Sequence, residues 1–319
     1  MTATGFKFSI VCPALNEGKY IGDIIEAFVQ YCPQPSELFI ADGGSTDNTK
    51  AIVLEWTKRY ENIFLINNER KFVSYAFNQC YPKAKGKYLA LLGAHTHYPA
   101  TFFNIALKEL ESGNADVVGG PLKQIGSGNW GSAIAACMST PFGVGGTEFR
   151  VLKKRMYVDS VAFACYNRKV FEKIGLFDEK LIRNQDDEMH YRINAHGFRI
   201  LMVPEMECSY QVRSTIGQLF KQYFQYGLYK PLVLKKVSSG IRLRHLIPAL
   251  FCIYLLVVPL IIWGKANLLL VPLILYGILL FWFSFTRSLS FDRVRALIVY
   301  PTLHVSYGLG FILGLFKLK

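Results

Sequence analysis

Three long stretches without a charged residue occupy the last quarter of this chain, and they restrict its fold more than any other feature. A transmembrane helix needs roughly 18 or more consecutive, mainly apolar residues, and each stretch approaches or exceeds that length. Buried core helices are the alternative, but a core helix usually keeps one polar face. We therefore predict a membrane domain over residues 246–319 with two or three hydrophobic spans. The stretches are Leu246–Trp263, Ala266–Phe285 and Ala296–Phe316.

Basic residues flank these stretches and account for much of the formal net charge of +13. Their position beside apolar segments favours anionic lipid head groups over nucleic acid as the partner. Lysine and arginine concentrate in cytoplasmic loops, so we expect the amino-terminal part and the loop 287–295 in the cytoplasm. The flanking clusters are Lys235, Lys236, Arg242, Arg244 and His245 before the first stretch, and Arg287, Arg293 and Arg295 before the third.

The third stretch leaves its membrane placement open. Three full spans would put Lys317 and Lys319 outside the cell, which fits the distribution of basic residues less well. Pro301 and His304 also weaken the stretch as a span. A re-entrant segment and a helix in the membrane interface are therefore alternatives to a third span.

Cysteine usage and the first residues predict a reducing compartment. Seven cysteines are scattered through the chain, and no two have Cys-x-x-Cys spacing. This odd number without paired spacing favours reduced thiols over a disulfide framework or a zinc site. Met1–Lys7 leads directly into a strand-like run without a secretory signal. We therefore expect the domain that follows to stay in the cytoplasm.

Strand-like and helix-like stretches alternate up to about residue 110. In the first helix-like stretch, Ile21, Ile24, Ile25 and Phe28 have the spacing of a helix face. Alternation of this kind predicts an α/β domain with a doubly wound, mostly parallel sheet. The predicted strands are 8–12, 38–41, 62–66, 88–92, 115–118 and 161–166, and the predicted helices are 20–31, 49–60, 73–81 and 100–110.

Two further segments lie between this alternation and the apolar stretches. Gly126–Gly146 is rich in glycine and predicts a mobile loop near the active site. Arg213–Lys236 is basic and aromatic with helical spacing, which predicts a helix in the membrane interface. The predicted organisation is a catalytic domain over 1–212, an interfacial amphipathic segment over 213–245 and a membrane domain over 246–319.

Polar side chains follow two of the predicted strands at the point where each ends. Asp42 ends the run Leu38–Ala41, and Asn16 and Glu17 follow the strand Phe8–Cys12. Open α/β sheets bind ligands at the carboxyl ends of their strands. These residues therefore predict a pocket for a polar ligand at one edge of the sheet.

A third strand end carries two histidines. Gly93-Ala94-His95-Thr96-His97 follows the predicted strand 88–92. Imidazole can ligate a divalent metal or contact a diphosphate. Two exposed loop histidines without a function are the alternative. The position of His95 and His97, on the same sheet edge as the other polar groups, favours a functional role.

An acidic cluster opens a helix-like stretch further along. Asp186, Asp187 and Glu188 follow one another after Gln185. Acidic residues in a first helical turn are common because of the helix dipole. Three consecutive acids exceed that need, since they repel one another, and a carboxylate so placed can act as a general base on an acceptor hydroxyl.

Taken in order, these motifs resemble the family 2 glycosyltransferases of the GT-A fold. The stretch from Val158 to Arg192 and the segment Gln222–Gly227 look like the bacterial transferases of succinoglycan-type exopolysaccharide biosynthesis. The resemblance covers about residues 6–230, through Pro13-Ala14-Leu15-Asn16-Glu17, Asp42–Thr49, Gly93-Ala94-His95 and Gln185–Arg192.

The resemblance implies roles for particular residues. Asp42 matches the aspartate that hydrogen-bonds the base, commonly uracil, and Asp186 matches the general base, with Asp187 beside it. Gln222 and Tyr226 loosely match a motif that lies near the acceptor and the diphosphate. The residues implied in nucleotide-sugar binding are Pro13, Ala14, Asn16, Glu17, Asp42, Ser45, Lys71, Gly93 and Ala94.

The chain departs from the family pattern at three positions. Gly93-Ala94-His95 stands where the family has Asp-x-Asp, so His95, with His97 as a weaker candidate, is the expected metal ligand. One anionic ligand fewer should weaken Mg²⁺ more than Mn²⁺. Gln185 replaces the glutamate before the base. Gln225 replaces an arginine that would offset pyrophosphate charge, a role that Arg70, Lys71 or Lys221 could take.

The resemblance implies an inverting glycosyltransferase that uses a nucleotide-diphosphate sugar, most commonly a UDP-sugar. A divalent metal, Mn²⁺ or Mg²⁺, would be its cofactor, and a lipid-linked saccharide or polysaccharide its acceptor. The apolar stretches would make it a multi-pass protein of the inner cell membrane with a cytoplasmic catalytic domain. The rivals are an inactive membrane-anchored binding or scaffold protein, and a nucleotidyltransferase or NAD-binding enzyme. No Gly-x-Gly-x-x-Gly follows the first strand to support the last.

Overall fold

The computed structural model of the protein describes residues 5–237, 242–286 and 292–317, except for the side chain of Asp292. Arg287 and Lys319, used above to predict topology, lie outside the described residues. The described chain forms two compact units. The first comprises Met1–Lys123 and Leu152–Tyr210, and the second comprises Gln124–Val151 and Gln211–Lys319. The second unit thus takes in a segment that the sequence placed in the catalytic domain.

The first unit alternates strands and helices, as the periodicity predicts. Its strands are β1 (Phe8–Ala14), β2 (Glu37–Asp42), β3 (Ile63–Asn67), β4 (Tyr88–Leu91), β5 (Thr96–His97), β6 (Val117–Gly120), β8 (Met156–Tyr157), β9 (Ala162–Asn167), β10 (Ile200–Met202) and β11 (Cys208–Gln211), and β7 (Leu122–Ile125) ends at the boundary between the units. Its helices are α1 (Ile21–Tyr31), α2 (Thr49–Thr57), α3 (Val73–Cys80), α4 (Phe102–Glu111), α8 (Arg168–Ile174) and α9 (Gln185–Ala195).

Eight of these strands form one sheet in the order β3-β2-β1-β4-β9-β6-β10-β8. The first four are parallel, β6 and β10 are parallel to each other, and β9 and β8 pair antiparallel with their neighbours. This confirms the predicted α/β fold with a mostly parallel sheet. Central parallel strands are covered on both faces, and β2 accordingly is buried along its whole length.

The second unit is helical. Its helices are α5 (Gly128–Met138), α6 (Pro141–Val144), α7 (Glu148–Val151), α10 (Ile216–Lys236), α11 (Leu243–Trp263), α12 (Val271–Thr286) and α13 (Asp292–Lys317). Within the described residues, three helical spans are long and apolar enough to cross a membrane. They are Leu243–Trp263, Asn267–Thr286 and Arg293–Lys317, with mean hydropathies of 2.6, 2.4 and 1.5.

One expectation from the sequence is wrong here. Gly126–Gly146 is not an irregular loop, because α5 and α6 occupy most of it and bury Ala133, Ile134 and Met138. Small apolar residues between the glycines give α5 a face to pack, and that packing outweighs the low helix propensity of glycine. The third apolar stretch, whose membrane placement the sequence left open, forms one continuous helix, α13, that passes through Pro301.

Candidate active site

The order of the sheet brings three polar strand ends together. β1 lies between β2 and β4, and all three run parallel, so their carboxyl ends meet at one edge. Ala14 pairs with Asp42 across β1 and β2, and β4 ends just before Gly93. The residues that the sequence selected after these strands therefore lie on neighbouring positions.

Asp42 ends β2 as a buried carboxylate that is 1% exposed. It accepts hydrogen bonds from the backbone N–H of Gly44 at 2.9 Å and of Ser45 at 3.1 Å, and Lys50 Nζ lies 3.4 Å away. Burial raises the pKa of Asp42, but the hydrogen bonds from Ser45, Gly44 and Lys50 outweigh burial and hold that pKa below its usual value. Asp42 is therefore an ionised acceptor at neutral pH.

The loop after β1 is tied to the loop after β2. The Asn16 N–H donates to Ser45 Oγ at 2.9 Å, and Asn16 Oδ1 accepts from the Thr46 N–H at 2.8 Å. The Glu17 N–H donates to Thr49 Oγ1 at 2.8 Å. Asn16 adopts a left-handed φ of 56° to make these bonds, which asparagine tolerates better than most residues. These bonds hold the two loops together at the sheet edge.

Two other predicted nucleotide-binding residues belong to the strand itself. Pro13 and Ala14 lie within β1, which extends two residues beyond the strand predicted over 8–12. Ala14 is buried, and its carbonyl oxygen accepts a hydrogen bond from the Gly43 N–H at 2.8 Å. Both residues therefore form the carboxyl end of β1, and the Ala14 carbonyl supports the turn that follows Asp42.

Glu17 and His95 form a pair that spans the ends of β1 and β4. Glu17 Oε1 lies 3.1 Å from His95 Nδ1, and both side chains are partly exposed, at 18% and 35%. The His95 ring also contacts the ring of Tyr210 on β11, with centroids 5.5 Å apart. Tyr210 was missed by sequence reasoning, because only the pairing of β11 with β5 brings it near His95.

Gly93 stands where the family has its first aspartate, and the structure leaves no room for a side chain there. A Cβ on Gly93 would lie 2.6 Å from Phe163 Cε1 and 3.0 Å from Thr96 Oγ1. Phe163 itself holds a left-handed φ of 49°, which is rare for a bulky residue. The next residue, Ala94, is buried. Phe163 therefore occupies the space into which a carboxylate at position 93 would extend.

A divalent ion would find two donors at this edge. Glu17 supplies a carboxylate and His95 an imidazole, a mixed set that suits Mn²⁺ better than Mg²⁺. Within the described residues, no group of three or more His, Cys, Asp or Glu side chains could hold a metal ion. His97 is exposed on β5, where it pairs with Ser209. Glu17 and His95 would therefore supply two ligands to such an ion.

The acidic cluster opens α9 as predicted, but its members differ in their surroundings. Asp186 is exposed and Asp187 is partly buried. Glu188 is buried and makes a bidentate ion pair with Arg192, with Nε to Oε1 at 2.6 Å and Nη2 to Oε2 at 2.9 Å. Glu188 therefore stabilises the helix, whereas Asp186 and Asp187 are more exposed than Glu188.

A buried histidine behind the cluster is a second residue that the sequence did not reveal. His190 Nδ1 lies 2.9 Å from Ser160 Oγ, and Nε2 lies 3.2 Å from Tyr166 Oη. Burial lowers the pKa of His190 to about 4, against the opposing charge of Asp187. Burial raises the pKa of Tyr166, and the charge of Asp186 raises it further. His190 is therefore neutral at pH 7 and ties the first turns of α9 to β9.

Two basic residues predicted to offset phosphate charge have different partners. Arg70 is paired with Glu179 at 2.7 Å and stacks over the ring of Tyr75. The exposed side chain of Lys71 reaches the turn after β2, with Nζ 3.9 Å from the position that a Cβ on Gly44 would take. The Lys71 ammonium therefore lies beside the turn that follows Asp42, whereas the Arg70 guanidinium is paired with Glu179.

The predicted acceptor residues lie in the second unit. Gln222 and Tyr226 are one turn apart on α10, where Gln222 Nε2 donates to Tyr226 Oη at 3.1 Å. Lys221 is exposed on the same helix. These residues form their own polar group on α10.

Comparison with known proteins agrees with this arrangement. The family model "Glycosyl transferase family 2" matches residues 9–175. A dolichyl N-acetyl-alpha-D-glucosaminyl phosphate 3-beta-D-2,3-diacetamido-2,3-dideoxy-beta-D-glucuronosyltransferase of Methanococcus voltae is 31% identical over 239 residues, covering 72% of this chain and 74% of the relative. The succinoglycan biosynthesis protein ExoA of Rhizobium meliloti is 27% identical over 316 residues, covering 95% and 93%.

Solved structures show the same fold. The mannosyltransferase PcManGT from Pyrobaculum calidifontis, in complex with GDP-Man and Mn²⁺, superposes with a TM-score of 0.64 at 14% identity, over 98% of this chain and 88% of that one. Staphylococcus aureus TarS 1-349 with UDP-GlcNAc gives a TM-score of 0.51 at 14% identity, over 76% and 73%. The matched residues carry three polar strand ends of the sheet, and on this evidence the chain belongs to glycosyl transferase family 2.

Proposed function

We propose that the protein is a membrane-anchored inverting glycosyltransferase. It moves a sugar from a nucleotide-diphosphate sugar, in the first instance a UDP-sugar, to a lipid-linked or polysaccharide acceptor. The observation that carries the proposal is the meeting of Asp42, Glu17 and His95 on three neighbouring strand ends. The Methanococcus voltae relative, whose name describes a dolichyl-linked acceptor, supports the acceptor class.

The donor would lie across the sheet edge. Asp42 is an ionised acceptor at the end of β2 and suits an N–H donor on the edge of the base. The diphosphate would then extend past Lys71 toward the turn at Gly93-Ala94-His95, where backbone and imidazole groups meet it. A divalent ion held by Glu17 and His95, when bound, would supply positive charge for the departing diphosphate.

The chemistry needs one proton acceptor. Asp186 takes the proton of an acceptor hydroxyl, and that oxygen forms a bond to the anomeric carbon of the sugar. The bond between this carbon and the diphosphate oxygen breaks, so the nucleoside diphosphate leaves and the anomeric centre inverts. His95, oriented by Glu17, stabilises the charge that develops on the leaving oxygen.

A nucleotide-sugar panel tests this proposal. Membranes that contain the protein would be given UDP-, GDP- and dTDP-sugars together with a polyprenyl-phosphate-linked saccharide, and the released nucleoside diphosphate would be scored. We expect one nucleotide class to be turned over with inversion at the anomeric carbon. Release by no donor in the panel, from protein that still binds nucleotide, would favour the inactive binding protein.

That inactive relative is the second candidate function. Gly93 lacks the family carboxylate, and Gln185 replaces the glutamate before Asp186. A Cβ on Gly93 would lie 2.6 Å from Phe163 Cε1, so Phe163 fills the space beside this position. The Glu17–His95 pair and the exposed Asp186 favour an enzyme over a scaffold.

We further propose that the protein lies in the inner cell membrane with its catalytic unit in the cytoplasm. The apolar helices would hold the site close to a lipid-linked acceptor, which raises the effective concentration of the acceptor without a new contact at the sugar. Fractionation of cell lysates by sedimentation should place the full-length chain with the membranes. Recovery in the supernatant would contradict the anchor.

Substitution of His95 or Glu17 should lower both kcat and the affinity for Mn²⁺. His95→Ala should lower kcat by roughly 10²–10³-fold, the effect of removing one preorganised charge-stabilising donor. Glu17→Gln should have a smaller effect on kcat, because imidazole remains but loses its anionic partner. Mn²⁺ binding, followed by electron paramagnetic resonance, should weaken in both variants. His196→Ala, which changes an exposed histidine of α9's carboxyl cap, is the matched control.

Substitution of Asp42 should change both the affinity for the donor nucleotide and the way in which thermal stability depends on pH. Asp42→Asn should weaken UDP binding about tenfold or more, since a lost charged hydrogen bond contributes roughly 1.5–3 kcal/mol. A carboxyl group whose pKa is lower in the folded state stabilises the protein above its unfolded pKa and loses this effect as the pH falls through the folded value. Thermal unfolding of the wild type should therefore lose stability below about pH 4 more steeply than that of the variant. Identical pH profiles for the two proteins would contradict this role.

A further inference from the structure

The second unit contains a helical hairpin. α11 and α12 are antiparallel neighbours, because the ring of Phe251 stacks on Tyr276 at 4.4 Å and Tyr254 Oη donates to the Leu269 carbonyl at 2.9 Å. The hairpin turn lies between Trp263 and Asn267. Phe251 and Tyr276 therefore mark one level, near the middle of the two arms.

α13 meets the hairpin at this level on both arms. His304 Nδ1 lies 3.0 Å from Tyr276 Oη on α12, and the next residue, Val305, accepts from Cys252 Sγ on α11 at 3.6 Å. Further along α13, Phe311 packs in a cluster with Ala249, six residues after the first residue of α11.

Eleven residues of helix separate Tyr300 from Phe311, or roughly 16 Å at 1.5 Å per residue. If α13 were a third span aligned with the hairpin arms, Phe311 would meet them about that distance closer to the turn than Tyr300 does. Instead, Tyr300 contacts Phe283, near the end of α12, and Phe311 shares a cluster with Ala249, which is nearer to the start of α11 than to the turn. α13 therefore crosses both arms, and these contacts lie between the middle of the hairpin and the end away from the turn.

The turn half of the hairpin is apolar and uncovered. Four large side chains there are 63–85% exposed, and they belong to Leu256, Leu260, Trp263 and Leu268. The span windows of α11 and α12 are 17% and 6% buried within the structure, whereas that of α13 is 44% buried. Lipid is the partner that such an uncovered apolar hairpin requires. A smaller share of α13 than of α11 or α12 is left uncovered for such a partner.

α10 gives an independent reason to keep α13 out of the hydrocarbon. Close backbone contacts place Gly227 against Tyr307, Phe224 against Gly310 and Leu228 against Gly314, so the two helices run parallel in close contact. α10 carries Lys221, Gln222, Gln225 and Lys230 along this length. Lysine and glutamine side chains at the depth of a membrane span are costly. A helix packed along α10 therefore belongs at the membrane surface.

The distribution of charge points the same way. Residues 211–319 contain thirteen lysines and arginines and a single acidic residue, Asp292. Among those of these basic residues that the structure describes, Lys265, in the hairpin turn, is the only one on the far side of the hairpin. If α13 lay in the membrane plane, Lys317 would remain on the face where α11 begins, among the other basic residues. Anionic head groups attract such clusters by about 1 kcal/mol per basic residue.

We propose that α11 and α12 enter the bilayer as one hairpin, and that α13 lies with α10 in the plane of an anionic membrane surface. The start of α11 and the end of α13 then lie on the same face of the membrane. This inference rests on the membrane anchor of the proposed function.

Accessibility of the carboxyl end tests the inference. Lys317→Cys would be introduced into the full-length chain, whose described native cysteines are all buried, and treated with a membrane-impermeant maleimide. Arg213→Cys, ahead of α10, marks the face on which the chain enters. We expect both cysteines to react in inverted vesicles and neither in intact spheroplasts. Reaction of Lys317→Cys in spheroplasts alone would overturn the inference, because it would make α13 a third span.

A reporter on the carboxyl end gives a second measurement. Alkaline phosphatase fused after Lys319 should be inactive, and the same fusion with one added transmembrane helix before the phosphatase should be active. The reverse pattern would overturn the inference. Neither measurement depends on turnover. If the labelling is as expected but transferase activity is absent, the result contradicts the proposed enzymatic function and leaves the proposed membrane arrangement intact. Absence of the chain from membranes would instead contradict the proposed anchor.

Discussion

Asp186→Asn should reduce kcat by roughly 10²–10⁴-fold, the usual contribution of a general base, while nucleotide binding stays nearly unchanged. The variant keeps the size and shape of the side chain but cannot accept the proton of the acceptor hydroxyl. Asp186 is exposed at the start of α9, so loss of its charge should leave the fold intact. Single-turnover release of nucleoside diphosphate, with donor affinity measured by calorimetry, separates the two effects.

The two neighbouring acids serve as controls for this prediction. Asp187→Asn should lower turnover less than Asp186→Asn if Asp186 is the base. Glu188→Gln should act on stability, because it removes one partner of the buried pair with Arg192. Breaking a buried ion pair from one side costs about 3–5 kcal/mol. Near-normal turnover in Asp186→Asn would show that another group takes the proton.

Gly93→Asp should fail to restore the family's metal motif and should instead destabilise the protein. The new Cβ would lie 2.6 Å from Phe163 Cε1, and overpacking of this sort typically costs about 1–3 kcal/mol. Gly93→Ala should show most of the same loss, because the clash begins at the Cβ. Chemical unfolding with matched circular dichroism before denaturation would measure both free energies of unfolding.

Phe163→Gly should relieve the steric destabilisation caused by Gly93→Asp. It removes the ring that fills the space, and glycine accepts the left-handed φ of 49° without the cost that a bulky residue bears. In the Gly93→Asp, Phe163→Gly double variant, a carboxylate would have room beside His95. We expect tighter Mn²⁺ binding than in the wild type. Equal stability of Gly93→Asp and the wild type would contradict the steric explanation.

Local patterns predicted most of the first unit. β1, β2, β4 and the helices between them were recognised from hydrophobic runs and helical spacing, because each element buries a face that its own sequence defines. Asp42 and Glu17 were selected as site residues because parallel strand ends meet at one edge. The Gly126–Gly146 segment escaped this logic, since packing of Ala133 and Ile134 in the second unit, and not local propensity, makes it helical.

The pairing of side chains was beyond sequence reasoning. Glu17 was expected to bind nucleotide, and the structure adds a contact with His95, 78 residues away in the chain. Glu188 was grouped with the possible bases, but it is paired with Arg192. The roles of individual residues remain predictions for the experiments above: nucleotide-sugar binding by Pro13, Ala14, Asn16, Glu17, Asp42, Ser45, Lys71, Gly93 and Ala94, acceptor or diphosphate binding by Gln222 and Tyr226, and catalysis by Asp186 and Asp187.

The sequence by itself determined the family, the α/β architecture and the presence of apolar helices, because these depend on motifs and periodicities that lie within short segments. Tertiary structure alone decided what surrounds Gly93, which acid of the cluster is buried, and how α13 meets the hairpin. These depend on contacts through space: Phe163 with Gly93, the packing that buries Glu188 against Arg192, and Val305 with Cys252. Steric exclusion and charge pairing act through space, so no local pattern could have revealed them.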